Sequence, residues 1–197
     1  EIFTIKSADG ETTIDLRAGV VSFSYFEDVF SPIITATVLI SSTGGVMKDE
    51  DGDSVSMYNG LPLRGGERVS IKIPGNSPNN IDLEFSEENE NELFVASITN
   101  VLMNAESESF TLNLVSREAI SNETSRVGKK FPSSEPISDS VKEIIEKYLL
   151  SKKEISIDET MNPYGFYGNM KKPFTILTWL ASKSVPGNSS GQSASAG

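Results

Sequence analysis

The chain is 197 residues long, 37% hydrophobic and 23% charged, with 17 Lys and Arg against 28 Asp and Glu and neither Cys nor His. That length buries a core without disulfide staples, and the composition is too apolar for wholesale disorder. The missing Cys and His exclude thiolate nucleophiles, Ser-His-Asp and Cys-His catalysis, and His- or Cys-ligated metal sites, while a net charge of −11 argues against a nucleic-acid or anionic-membrane binder.

Strand signals dominate the first 116 residues. Ile2–Ser7 is a short candidate, followed by an Asp9-Gly10 turn. Val21, Phe23 and Tyr25 alternate with Ser22, Ser24 and Phe26, the pattern of a half-buried strand. Ile33–Ile40 is β-branched, with Pro32 before it. Thr43–Asp53 and Asn59–Glu67 read as Gly-bearing loops. Arg68–Ile73 alternates again, with Val69, Ile71 and Ile73 on one face, and Ile81–Phe85 is a second short candidate. Leu93–Met103 and Ser109–Val115 form a hairpin about Asn104-Ala105-Glu106-Ser107. These features predict an antiparallel barrel or sandwich.

Composition changes near Arg117. Residues 1–116 hold 6 basic and 19 acidic side chains, and residues 117–197 hold 11 and 9, which suggests two units. Ala119–Ser125 is a candidate short helix. Ser138–Leu150 has Val141, Ile144, Ile145, Tyr148 and Leu149 on one face, with Ser138 or Ser140 as N-cap. Pro173–Ser184 is the last helix, with a stripe of Phe174, Leu177, Leu180 and Ala181 and Trp179 in the core. The fold class is α+β: an antiparallel β-barrel or sandwich domain over 1–117, a smaller helical and mixed domain over 118–186, and a flexible loop or linker over 187–197 in a chain expected to continue further. No apolar run is long enough to span a membrane.

Several clusters bear on function. Asp49-Glu50-Asp51-Gly52-Asp53 resembles a calcium loop, but the spacing of its Gly and the absence of a closing Glu fail the EF-hand pattern, leaving a solvated acidic loop. Asp82–Glu92 carries six acids and no base, the pattern of a charged hairpin end rather than an opposed catalytic pair. Leu63-Arg64-Gly65-Gly66-Glu67 lacks a phosphate-loop signature and reads as a tight turn. Asn162–Asn169 is an aromatic loop that either binds a sugar or partner through Tyr164, Phe166 and Tyr167 or covers the core. Lys129-Lys130, Lys152-Lys153 and Lys171-Lys172 solvate the surface or together face an acidic partner. No catalytic, cofactor-binding or metal-ligating residue is assigned, and no cofactor is expected.

The ordered set Leu61-Pro62-Leu63-Arg64-Gly65-Gly66-Glu67-Arg68-Val69, Phe94-Val95-Ala96-Ser97-Ile98, Val115-Ser116-Arg117-Glu118, Arg126-Val127-Gly128-Lys129-Lys130-Phe131, Ile137-Ser138-Asp139-Ser140-Val141 and Lys172–Leu180 resembles the N-terminal part of the baseplate central hub protein of contractile-tailed, myovirus-type bacteriophages. The resemblance implies a tail-tube-like β-barrel in a homotrimer. Such a trimer is a symmetry adaptor with a central channel, joining the hexameric tail tube protein to the trimeric central spike protein. Tape measure and baseplate wedge proteins are further implied contacts, and DNA is only a passing cargo. The location implied is the virion's tail baseplate, assembled in the host cytoplasm, with no stable membrane association and no enzyme activity. One tube-like domain is visible where the family carries two. A carbohydrate-binding or adhesin module, and the hub or spike of a contractile secretion or pyocin-like system, are the alternatives.

Overall fold

Alternating apolar side chains in the first half of the chain build one curved sheet. The computed structural model describes residues 1–42, 47–48, 54–61, 63–77, 79–104 and 107–187 and divides into two compact units, Glu1–Ser116 and Arg117–Gly197. Unit 1 contains β1 (Ile2–Lys6), β2 (Thr13–Asp15), β3 (Val20–Phe26), β4 (Thr35–Ser42), β5 (Met47–Lys48), β6 (Ser54–Val55), α1 (Met57–Gly60), β7 (Arg68–Ile73), β8 (Leu83–Phe85), β9 (Leu93–Met103) and β10 (Glu108–Ser116). The main sheet is antiparallel and runs β2-β1-β7-β9-β10-β4-β3, with β8 also on β7; β5 and β6 form a separate small hairpin.

The main sheet rolls into a half-barrel. Phe3 on β1 meets Phe23 on β3 edge-to-face at 5.9 Å, and Tyr25 on β3 meets Phe85 on β8 at 5.6 Å. These strands are far apart in sheet order, so only a strong curl brings their rings together. Inside lie Ile5, Val38, Ile40, Val69, Ile71, Leu93, Phe110 and Leu112, all buried. Met57, and Leu61 from the expected Asn59–Glu67 loop, also belong to this core. The buried carboxylate of Glu108 accepts hydrogen bonds from the Met57 and Tyr58 main-chain N–H groups at 2.6 and 3.2 Å, holding that turn against β10.

One bulge and two strand starts correct sequence expectations. Val20 pairs with Ile40 but Ser22 with Leu39, so Val21 is an extra residue and turns outward at 61% exposure, leaving Val20, Phe23 and Tyr25 on the inner side. Strand β4 starts at Thr35 rather than Ile33, because the Ile34 main chain bonds Ser116 through that residue's hydroxyl and N–H. Strand β8 starts at Leu83, because the Asp82 carboxylate accepts the Gly75 N–H and closes the loop that leaves Ile81 exposed.

Unit 2 contains α2 (Arg117–Thr124), β11 (Lys130–Phe131), α3 (Ile137–Lys147), β12 (Phe166–Tyr167) and α4 (Pro173–Ala181). Its core is Val127, Phe131, Ile137, Ile144, Phe166, Ile176 and Leu180. The Phe131 and Phe166 rings stack at 4.4 Å across the β11–β12 pair. Gly168 permits this packing: a Cβ there would lie 2.2 Å from the Val127 carbonyl oxygen.

The helix ends differ from the expected ones. Pro136, not Ser138 or Ser140, is the N-cap of α3. The Ser138 main-chain N–H donates instead to the Thr160 hydroxyl at 3.0 Å, and the Ser140 side chain is buried within the helix. Helix α3 stops at Lys147, and the chain turns away with Leu150 at φ 53°. Helix α4 buries Pro173, Ile176 and Leu180, while Ala181 is exposed and Phe174 half-buried. Leu180 is thus buried as expected, while Pro173 and Ile176 are buried deeper than the expected Phe174 and Leu177.

Candidate functional site

Strand alternation separates two kinds of outer surface on unit 1. Cross-strand registers place Ser24, Thr37, Asn113 and Ser97 in one row over β3, β4, β10 and β9, and Ser22, Leu39, Thr111 and Thr99 in the next. Asn113 donates to the Ser97 and Thr99 hydroxyls at 3.1 and 3.2 Å, tying the two rows together. Neither row holds a charged side chain, in a unit with 19 acidic ones. The outward positions of β1, β7, β8 and β2 are different: they include Lys6, Arg68, Lys72, Glu84 and Asp15. The half-barrel thus has a neutral, hydroxyl-rich flank and a charged flank.

The acidic run Asp82–Glu92 belongs to the charged flank. Phe85 faces Ile71 and Leu93 faces Val69, so Ser86–Glu92 is an excursion within one edge of β7. Asn91 clips it, accepting the Ser86 N–H at 2.8 Å and donating to the Glu84 carbonyl at 3.0 Å. Bases absent from the run come from other strands: Lys72 pairs with Glu84 at 2.8 Å and Lys6 with Glu87 at 3.0 Å. The Lys72 ammonium and the Ser86 hydroxyl hold the Glu84 carboxyl below its ordinary range. Buried Glu92 accepts from Ser70 at 3.1 Å. Glu84, Glu87 and Glu92 are thus each engaged by a cation or hydroxyl of a neighbouring strand.

Leu63–Glu67 is a tight turn, as expected. Gly65 and Gly66 adopt φ 101° and 92°. The buried Glu67 carboxylate accepts N–H groups from Arg64 at 2.7 Å and Gly65 at 3.0 and 3.1 Å. The glycines therefore serve a side chain of the turn itself.

The β3–β4 loop is a surface that sequence reasoning missed. Val29 and Phe30 at its tip are 92% and 93% exposed. The Asp28 carboxylate accepts the Phe30 N–H at 2.9 Å, and the Asp28 carbonyl accepts the Ser31 N–H at 2.9 Å. Tyr25 donates to Glu27, and burial with that carboxylate pushes the phenol up to about 12. The turn is therefore fixed with two apolar side chains in water, at an unfavourable hydration cost. The signal available in the sequence was an apolar pair between two acids and a Ser-Pro.

In unit 2 the aromatic loop divides. Phe166 is buried and Tyr164 half-buried, while Tyr167 is exposed beneath the Lys130 ammonium at 5.4 Å. Trp179, expected in the core, is 40% exposed and packs edge-on against Tyr164 and Phe166, both at 5.5 Å. Tyr167 and Trp179 flank a groove of about 250 Å³ with Lys171 and Thr175 at its side. One lysine of each Lys pair is held by an acid of its own unit: Lys129 pairs with Glu143 at 2.6 Å, Lys153 with buried Glu118 at 3.0 Å, and Lys172 with Glu123. Burial pushes Glu118 up, but Ser151, its own main chain and Lys153 together bring it below the ordinary value. Asp49–Asp53 lies outside the described residues. No described helix is long and apolar enough to cross a membrane.

No family model and no curated protein matches the sequence. Among solved structures, the 43 kDa tail protein of prophage MuSo2 from Shewanella oneidensis is similar with a TM-score of 0.60 and 11% identity, over 93% of this chain. The fold is that of a phage tail protein. The chain spans 49% of that tail protein's length. An E. coli component of the type VI secretion system, described as structurally similar to T4 bacteriophage tail proteins, aligns with a TM-score of 0.45 and 8% identity, over 92% of this chain and 39% of that one.

Proposed function

We propose that this chain is a non-catalytic structural subunit of a phage-type tail baseplate: the hub that, as a trimer, joins a hexameric tube to a trimeric central spike around a channel. The observation that carries this reading is the likeness to a prophage tail protein over 93% of the chain, both units included. On this reading the neutral flank of β3, β4, β10 and β9 lines the channel. A wall of hydroxyl and amide groups offers a passing polyanion no cation to hold it. The partners are a tube protein, a spike protein, a tape measure protein and wedge proteins, and DNA only passes through. The same subunit design suits a contractile secretion device. Immunogold labelling of particles purified from the encoding organism tests the location. Gold at the baseplate end of a tail is the expected result, and particles that lack the chain contradict it.

A second reading rests on the unit 2 groove. Tyr167 and Trp179 line it beside Thr175 and Lys171, and aromatic rings with polar neighbours are what a carbohydrate platform uses. A glycan array read with wild type and Trp179→Ala separates the two: binding lost in the variant supports the sugar site, and silence from folded wild type removes it.

A further inference from the structure

We propose that the unit 2 groove binds a carboxylate-bearing sugar, a uronic-acid-type residue of an acidic glycan. The proposal rests on the sugar reading of that groove and names the charge its ligand carries.

Tyr167 and Trp179 line a groove of about 250 Å³, and Asn169, Lys171 and Thr175 are its polar lining. This is smaller than the ~300 Å³ or more that a drug-sized ligand occupies, and suits one sugar ring. The supports are fixed before a ligand arrives. Trp179 packs edge-on against Tyr164 and Phe166, both at 5.5 Å. The Lys171 main chain is clamped twice: its N–H donates to the Gly168 carbonyl and its carbonyl accepts the Val127 N–H, both at 3.0 Å. A groove built in this way spares the cost of ordering it on binding.

Charge selects an anion. The described lining holds a lysine and no acid, in a chain of net charge −11. Elsewhere in the unit, Lys129, Lys142, Lys147, Lys153 and Lys172 are each matched to an acid. Lys130, Lys171 and Lys183 are in no ion pair among the described residues. The first two stand at this groove: Lys171 lines it, and the Lys130 ammonium lies 5.4 Å over the Tyr167 ring. In both Lys129-Lys130 and Lys171-Lys172, one lysine is neutralised by an acid and the other is left for a ligand.

The neutral polar groups favour a sugar over an acidic peptide. The exposed Asn169 amide and Thr175 hydroxyl hold no hydrogen bond among the described residues. A uronic acid presents a carboxylate, several hydroxyls and apolar C–H groups on one ring. The Lys171 ammonium donates to the carboxylate, Asn169 and Thr175 exchange hydrogen bonds with the hydroxyls, and the C–H groups pack on Trp179. An Asp or Glu side chain would engage the lysine and leave the amide and hydroxyl unused.

An array of carboxylated, sulfated and uncharged glycans, probed with the full chain at low and raised salt, tests this. Carboxylated glycans should capture it roughly tenfold or more above their uncharged counterparts, with the margin shrinking as salt rises. Lys171→Gln, at an exposed position, should abolish that preference with an unchanged melting curve. Trp179→Ala should abolish capture altogether. Equal capture of charged and uncharged glycans, or a preference indifferent to Lys171→Gln, overturns the inference and leaves the sugar reading standing. Preference for sulfated over carboxylated glycans overturns it as well. Competition by hexaglutamate as strong as that by the free carboxylated sugar assigns the groove to an acidic peptide instead. Silence from folded wild type removes the sugar reading and this inference together.

Discussion

Gly65 carries the clearest single-residue consequence. Its φ of 101° lies where an L-residue is strained, and its N–H is one of the donors that satisfy buried Glu67. Gly65→Ala is expected to lower unfolding free energy by about 1–2 kcal/mol, seen as a lower urea midpoint with unchanged slope. Glu118 carries a pH signature. Its folded carboxyl sits below its ordinary value, so the unfolded chain takes up the proton first. Its stabilising contribution is complete above the unfolded pKa of about 4.3 and is lost as pH falls through the lower folded value. Urea unfolding at pH 3 and pH 6 should therefore show a smaller acid loss in Glu118→Gln than in wild type; equal losses would contradict the assignment. Neither role was legible in the sequence. A buried carboxylate and a surface one look alike until the chain brings Arg64, Ser151 or Lys153 to it.

Elements were more legible than residues, for a physical reason. Arg68–Ile73 carries enough alternation to specify both strand and inner face, Leu93–Met103 enough to specify a strand, and both appear with those bounds. What sequence period does not report is a bulge. One extra residue at Val21 reverses the expected facing, and another falls by Asn100, at φ 53°. Asn100→Val is expected to destabilise the β9–β10 hairpin while Asn100→Gly is tolerated, read from amide exchange of β10. In α4 Leu180 was legible, but Ile176 rather than Leu177 is the buried neighbour because apolar residues occupy both candidate faces, and packing against Phe131 and Phe166 decides between them. Ile144 is buried in the α3 face that periodicity did identify. Ile144→Ala should cost about 2–5 kcal/mol in unfolding free energy. A loss below 1 kcal/mol would show that the α3 face is not core.

At the scale of the whole molecule, the antiparallel β-rich unit and the smaller helical one follow from composition and period, but their outward surfaces do not. The acidic run drew attention in the sequence because charges are conspicuous. In the structure it is a clipped excursion beside Lys6 and Lys72. The surface proposed to face the channel is the inconspicuous one, where Ser, Thr and Asn alternate with core residues. If that flank lines a passage, Thr37→Lys with Asn113→Lys should slow DNA release from assembled particles, with recovery as salt rises. Release unaffected by these lysines would place the flank elsewhere.

Ring formation by three copies is the central claim. The most direct measurement is the mass of the purified chain by sedimentation equilibrium across a wide concentration range, with electron micrographs of the same sample. The account predicts three copies of the 21.4 kDa chain closed about a central hole. A single 21.4 kDa species at the highest concentration, or a closed two-fold dimer, would contradict it.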